Sequence, residues 1–581
     1  MKMTKIITIL LIFASSLTVW GQTLLETTGK TPQKVVEFET RKAVTDYQPI
    51  NINLDILKEG QGKISFWGID ETVFQTKLTV RSFKNFSWFG SNKDKTTSII
   101  LTVADNDIQG LVTHKTEVYR IETVGDIYYI TKIDHSKYPS EECGVGSKNN
   151  DTNAVPNNPF NEDSISYQQK MISGEPFTCR LRLLVLYTPA AKNAVSNISN
   201  TIQLAVDEMK QSFINSNVYR EVELVYVGET NYTEVNTPTD LNRFYGNGDN
   251  YIDEVHNFRT KHQADICVLI AQETDYCGAA KYVKVSASYA FCVVDVDCAT
   301  GYYSFAHEIG HIIGTRHDPY IDNSNTPYPY GHGYVASNNQ WRTIMAYGDA
   351  CGGCTRIQYW SNPNVSYGGL PMGTTSTHNN ARVLNEKIPN AMSYLQPANT
   401  VTVQNADVAA ARDGDIIAKS KVETSGTVAI QNGQSYSFRS GGTVVLEPGF
   451  TAEVGSNFVA EIVEVTDCGQ PDGEASNYSK TDEFSNYASE SSAKFISDFV
   501  VYPNPTNDFI TVNLNVTAKI DVDFKVCDYT GKTVKKIGKY TLTTEKFSRN
   551  FNLLDLTSGV YFIVVTFDNQ EILNHKIIKI K

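Results

Sequence analysis

The spacing of apolar residues changes character several times along the chain. Residues 6–14 form one short apolar run behind Lys2 and Lys5, and small and polar residues then lead to Val19-Trp20-Gly21. This is the layout of a signal peptide cleaved before Gln22, with a core too short to span a bilayer. From about residue 22 to 138, segments such as GKISFWGI, SIILTV and DIYYITKI alternate and are broken by Gly, Asn and Asp, which predicts short strands. CGVGSKNNDTNAVPNNPFNEDS, rich in Asn, Pro, Ser and Asp, predicts a cleavable connection. After Arg180 the pattern becomes α/β. LRLLVLYT, EVELVYVGE and ADICVLIAQ read as strands, and 190–215 and 240–262 as helices. Residues 303–313 read as a further helix, beneath a sheet edge near VKVSASYAFCVVDV to which an extended chain could add.

Beyond Pro397, short strands punctuated by Gly suggest a small stacked β module to about Val465. An acidic, Ser-rich linker follows, and the strongly alternating end predicts a β-sandwich of about 80 residues. The expected organisation is multidomain: 1–21 a signal peptide, 22–178 a β-rich region with its linker, 179–397 an α/β domain with a mixed sheet, 398–465 the Gly-rich module, 466–498 a linker and 499–581 the sandwich.

Composition agrees with an exported protein. Of 581 residues, 41% are hydrophobic and 11% aromatic, enough for several cores, and no later run approaches a membrane span. The net charge of −13 argues against nucleic acid as a partner, and a monomer is expected. Ten cysteines can form disulfides outside the cell. Cys179, Cys267, Cys277, Cys292, Cys298, Cys351 and Cys354 lie in 179–397, an odd number, so at least one stays a thiol or pairs elsewhere. Cys267, inside the apolar ADICVLIAQ, is the expected thiol.

The chemistry is concentrated in HEIGHIIGTRHD, which holds His307, Glu308, His311, Gly314 and His317. Helical residues four apart differ by about 400° of rotation, so His307 and His311 share a face at a spacing that one metal ion can bridge. Six residues on, His317 would point about 240° away, so the chain must turn first, and Gly314 turns at least steric cost. Three His leave one position of a zinc ion open, the arrangement of a catalytic rather than a structural site. Glu308, beside the first ligand but off the metal, can take a proton from water there, as a general base for peptide hydrolysis. His332 and His378 lie in Gly-, Tyr- and Asn-rich loops and stay outside this ligand set. Asp318, Asp322, Asn323 and Asn325 could hold Ca2+, though such loops more often bond their own turns.

HExxHxxGxxH resembles the metzincin clan of zinc endopeptidases, which also expects a methionine turn downstream. TIMAYG supplies one, and the resemblance makes Met345 an apolar floor beneath the zinc. Asp318 after the third His is similar to the reprolysins. Tyr347 is similar to the Met-x-Tyr of astacins and serralysins, where the tyrosine can be a fifth ligand; here it could donate to the oxyanion. With LRLLVLYTPAAKNAV, CTRIQYWSNPNVSYGG and NNARVLNE, the stretch 179–397 looks most like bacterial reprolysin-like peptidases and the peptidyl-Asp metalloendopeptidases near them.

That resemblance implies an α/β metzincin domain with an active-site helix, acting on proteins or peptides. A preference for Asp on the primed side requires a cation after the methionine turn, and Arg356 is placed for it. The alternative is an arginine on the surface or paired with a carboxylate. The order of strand-rich region, linker and zinc domain resembles a propeptide before a protease. Cys143-Gly144-Val145 is similar to the cysteine switch of reprolysin propeptides, the alternative being a plain thiol or a disulfide. The end of the chain, with YPNPT, SGVYFI and KIIKIK, looks like a type IX secretion sorting domain. Its partner would be that machinery, with export through the periplasm of a Gram-negative bacterium to the surface or beyond. A second reading, a surface-exposed adhesion or binding protein with a vestigial zinc domain, sits poorly with an intact Glu308.

Overall fold

In a computed structural model of the chain, nine strands between Thr23 and Ile133 close into a barrel. The structure describes residues 23–139, 143–144, 179–465 and 496–580, apart from positions 31–33, 42, 83, 273–274, 410, 454–455, 505, 517–518, 544–546 and 568–569. The expected signal peptide and most of both expected linkers lie outside the described residues. Barrel neighbours are antiparallel except Thr23–Thr27 with Gln61–Phe66. Alternate side chains such as Ile64, Phe86, Trp88 and Ile121 fill the interior.

The region after Arg180 is built on a mixed sheet. In spatial order its strands are Gly278–Ala280, Phe291–Asp295, Ile266–Ala271, Leu181–Tyr187 and Val222–Glu229. The last four are parallel and the first antiparallel. Leu181–Tyr187 is buried at every position, as a parallel strand covered on both faces should be. Helix Ile198–Asn215 and helix Ser304–Ile313 share the core on one face, and Thr237–Tyr245 and Glu254–His262 cover the other.

Three expectations are corrected. The helix expected over 190–215 breaks between Pro189–Ala194 and Ile198–Asn215, because the Asn197 side chain accepts from Asn200 N at 3.2 Å and caps a new start. That expected over 240–262 breaks where Asp253 accepts from the backbone of Gly248 and Asn250, at 2.7 and 3.0 Å. The sheet edge is Gly278–Ala280; VKVSASYAFCVVDV contributes the inner strand Phe291–Asp295 instead.

The Gly-rich stretch does not stand apart from this mixed sheet. Its strand Ala411–Ala418 pairs antiparallel with Val222–Glu229 and is followed in parallel by Ser435–Ser440 and Asn457–Ile462, with Gly414, Tyr436 and Phe458 stacked in turn. Arg182 of the central strand reaches Asp415 at 3.1 Å. A sheet edge that would otherwise offer unpaired amides is thereby covered.

The C-terminal region is a sandwich. One sheet contains Ile496–Tyr502, Phe509–Val516 and Phe547–Asn552; the other contains Thr533–Leu542, Ile520–Asp528, Gly559–Phe567 and Gln570–Lys579. Disulfides join Cys277 to Cys298 and Cys351 to Cys354, and Cys179 is also disulfide-bonded. Cys267 is a thiol, as are Cys143, Cys292 and Cys527. No helix among the described residues is long and apolar enough to cross a membrane.

Candidate metal centre

Helix Ser304–Ile313 is buried along its whole length and carries His307, Glu308 and His311. It ends at Gly314, whose φ of +125° and whose closeness to the Tyr328 ring, 2.8 Å from an added Cβ, admit only glycine without strain. The chain then turns back, and Arg316 N donates to Gly331 O at 2.7 Å, bringing His317 over the helix. The Nε2 atoms of His307, His311 and His317 form a triangle with sides of 3.1, 3.2 and 2.9 Å.

The far side of each helix imidazole fixes its tautomer. Nδ1 of His307 donates to Ile344 O at 2.8 Å, and Nδ1 of His311 to Thr315 O at 3.0 Å. A carbonyl only accepts, so both Nε2 atoms present lone pairs to one another. Burial keeps the rings neutral: His307 and His317 are held well below the usual range, and His311 is brought down to about 4. Lone pairs at this distance repel, and a cation between them removes the conflict. Two nitrogens held about 2.0–2.1 Å from one tetrahedral zinc lie about 3.3–3.4 Å apart, close to the triangle observed, so the residues fit zinc.

The fourth corner holds a thiol. Cys143 Sγ and the three histidine nitrogens all lie within 4.8 Å of one another, and the same Sγ donates to Glu308 Oε2 at 3.3 Å. Glu308 is wholly buried, which pushes its carboxyl up to about 8 against the Cys143 hydrogen bond and the Arg356 charge. Gly278 on the edge strand makes room for it, since a Cβ there would fall 2.7 Å from Glu308 Cγ. Beside Cys143, Gly144 N donates to Gly278 O at 2.9 Å, so this segment adds backbone to the sheet edge.

Met345 is fully buried in the turn whose Ile344 carbonyl holds His307. The Tyr347 ring lies 4.5 Å from that of His317, and its hydroxyl donates to Cys143 O at 3.3 Å. Asp318 Oδ2 accepts from Tyr347 N at 2.8 Å and Oδ1 from Tyr320 N at 3.1 Å; Asp322 accepts from Ser324 N and pairs with Arg316. Both carboxylates of the suggested calcium loop thus hold turns.

Arg356 is buried, not on the surface. It donates to Tyr302 O at 2.9 Å and stacks 4.2 Å over the Tyr302 ring, and with Tyr303 and Ile357 it lines a cavity of about 1000 Å³.

Residues distant in sequence complete the site. Arg342 donates to Ala346 O and Tyr302 OH, both at 2.9 Å, and to Cys354 O, tying the methionine turn to the loop that carries Arg356. His332 is no ligand, but its Nδ1 lies 2.7 Å from His317 O and braces that backbone. His378 contacts Thr374, away from the centre. From the barrel side, His135 Nε2 meets Gly301 O at 3.0 Å while its Nδ1 accepts from Arg356 N at 3.0 Å. Tyr138 stacks on Tyr302 at 3.9 Å. No local sequence signal marks these residues.

Comparison with known proteins gives the same reading at both ends. Residues 178–361 match the model of metallopeptidase family M12, and residues 500–581 match a secretion system C-terminal sorting domain. A peptidyl-Asp metalloendopeptidase of Stenotrophomonas maltophilia (strain R551-3) is 43% identical over 356 residues, covering 57% of this chain and 83% of that protein. Another, from Xanthomonas campestris pv. campestris, is 40% identical over 330 residues, covering 54% and 76%. Similarity over so much of these relatives settles the family: the chain belongs to the peptidyl-Asp metalloendopeptidases among the M12 zinc metalloendopeptidases, and its type IX sorting domain marks it for secretion by a Gram-negative bacterium.

Proposed function

We propose that the chain is a latent zymogen of a zinc endopeptidase that cleaves proteins with Asp on the primed side of the scissile bond. The observation that carries the reading is the triangle of neutral imidazole nitrogens beside the buried Glu308. When bound there, zinc supplies Lewis acidity, polarising the scissile carbonyl and lowering the pKa of nearby water. Glu308 lies beside the corner that the Cys143 thiol fills, so once Cys143 leaves, its carboxylate receives the proton of water in that corner. It then delivers the proton to the leaving amine nitrogen. Tyr347 already donates to a backbone carbonyl at this centre, the Cys143 carbonyl, and the same hydroxyl serves the oxyanion of the substrate. Gly278–Ala280 offers its open edge to the substrate backbone, as it does to Gly144.

The N-terminal barrel acts as the propeptide. Its contacts reach past Cys143: Arg41 pairs with Asp297 at 3.0 Å, and His135 and Tyr138 cover Tyr302 and the Arg356 backbone. Arg356 is the cation for the Asp side chain, since its charge is buried, is felt at Glu308 and His317, and borders a cavity with room for a side chain.

Cleavage-site profiling of the processed enzyme on denatured protein, with and without a zinc chelator, tests the function. Chelation is expected to abolish cleavage, and the unsubstituted enzyme to enrich Asp at the first primed position. Arg356→Ala is expected to lose at least tenfold of that enrichment while still cutting. An unchanged preference in Arg356→Ala removes the pocket role, and chelator-resistant cleavage removes the mechanism.

A further inference from the structure

Strand Gly559–Phe567 of the sorting domain buries both of its faces. Tyr561, Ile563 and Val565 enter the sandwich core beside Val522, Phe524 and Val526 of the neighbouring strand. Alternate residues point the opposite way, yet Phe562 and Val564 are also no more than 2% exposed, as is Cys527 on the paired strand. The run VYFIVV over 560–565 is apolar without alternation, the pattern of a strand covered on both sides. A sandwich alone covers only the inner side.

The cover is the N-terminal barrel. Cys527, Tyr529, Phe562 and Val564 share one apolar core with barrel residues including Ile64, Phe86 and Trp88. Tyr529, on the turn after Ile520–Asp528, meets Phe86 edge-on with ring centroids 4.8 Å apart. Around this centre lies a polar rim, where Lys532 pairs with Asp55 at 2.9 Å and Lys576 Nζ donates to Val80 O at 3.4 Å. An apolar centre with a charged rim is the anatomy of a protein–protein interface. The rim pair is largely exposed and adds little, so the buried apolar side chains carry the attachment.

We propose that the outer face of the sorting domain is a docking surface for the barrel of the same chain, so that the two ends stay together when the segments connecting them to the catalytic domain are cut. While the barrel is docked, this apolar face is hidden; it is presented to anything outside only after the barrel leaves. The docking stands on the contacts alone; its bearing on latency rests on the propeptide reading.

The test uses the full chain carrying Glu308→Gln to prevent self-cleavage, with a site-specific protease sequence inserted within 145–178 and another within 466–495. After both cuts, gel filtration under native conditions is expected to return the barrel and sorting fragments in one peak. Val564→Lys, which leaves the sandwich core untouched, is expected to raise the amount of separated sorting fragment at least tenfold, with circular dichroism confirming its fold. In the uncut chain, carbodiimide is expected to couple Lys532 to Asp55, read by mass spectrometry. An unsubstituted sorting fragment that elutes alone, a Val564→Lys fragment that is folded but still bound, or the absence of the Lys532–Asp55 crosslink overturns the proposal. None of these readouts depends on peptidase activity, so the docking can fail while the proposed function stands.

Discussion

Glu308→Gln is expected to leave one zinc bound per processed enzyme and to lower kcat by about 10²- to 10⁴-fold, the range a positioned general base contributes. Glutamine keeps the size of the side chain and fits the space that Gly278 leaves, so the helix and its two histidines keep their positions. It cannot take up the proton of water. The three Nε2 atoms are untouched, which is why metal content and rate should separate. Metal analysis of the dialysed protein, read beside hydrolysis of a fluorogenic peptide, checks both halves. Substantial activity in Glu308→Gln removes the base from the mechanism, whereas loss of zinc would show that the carboxylate holds the site together.

Cys143→Ala is expected to raise the activity of the uncleaved chain at least tenfold, equivalent to about 1.4 kcal/mol. The thiol occupies the corner between the imidazoles and Glu308, where water has to stand. Alanine cannot bind a metal, so that corner opens. Full activity is not expected, because Gly144 still pairs with the sheet edge and Tyr138 still lies on Tyr302. Cleavage of a small peptide by the intact variant, with the chain checked by electrophoresis for unprocessed length, gives the measurement. An uncleaved Cys143→Ala chain no more active than the unsubstituted one would mean that the barrel, not the thiol, maintains latency.

What the sequence makes legible follows from range. His307 and His311 are one helical turn apart and His317 follows one glycine break, so the spacing alone predicts their convergence, and the structure brings all three together. Arg342 and His332 work on groups supplied by other segments, the Tyr302 hydroxyl and the His317 carbonyl, so nothing in their own neighbourhood announces them. Helix ends were obscured for the opposite reason. Asn197 caps a new helix start and Asp253 holds the loop before the next helix, both inside stretches whose apolar periodicity continues, and a local hydrogen bond outweighs a weak propensity. The edge strand is three residues of Gly and Ala, too short and too small to show an alternation, although Gly278 is there because Glu308 needs the space. In the sorting domain, the unbroken apolar run over 560–565 does carry the signal of a second covering body, but it cannot say which.

Zinc K-edge X-ray absorption of the uncleaved chain measures the centre most directly. The account predicts about three nitrogen neighbours at 2.0–2.1 Å and one sulfur at about 2.3 Å, with the sulfur replaced by oxygen after processing. A zinc shell without that imidazole set, or a dialysed chain that retains no zinc, would contradict it.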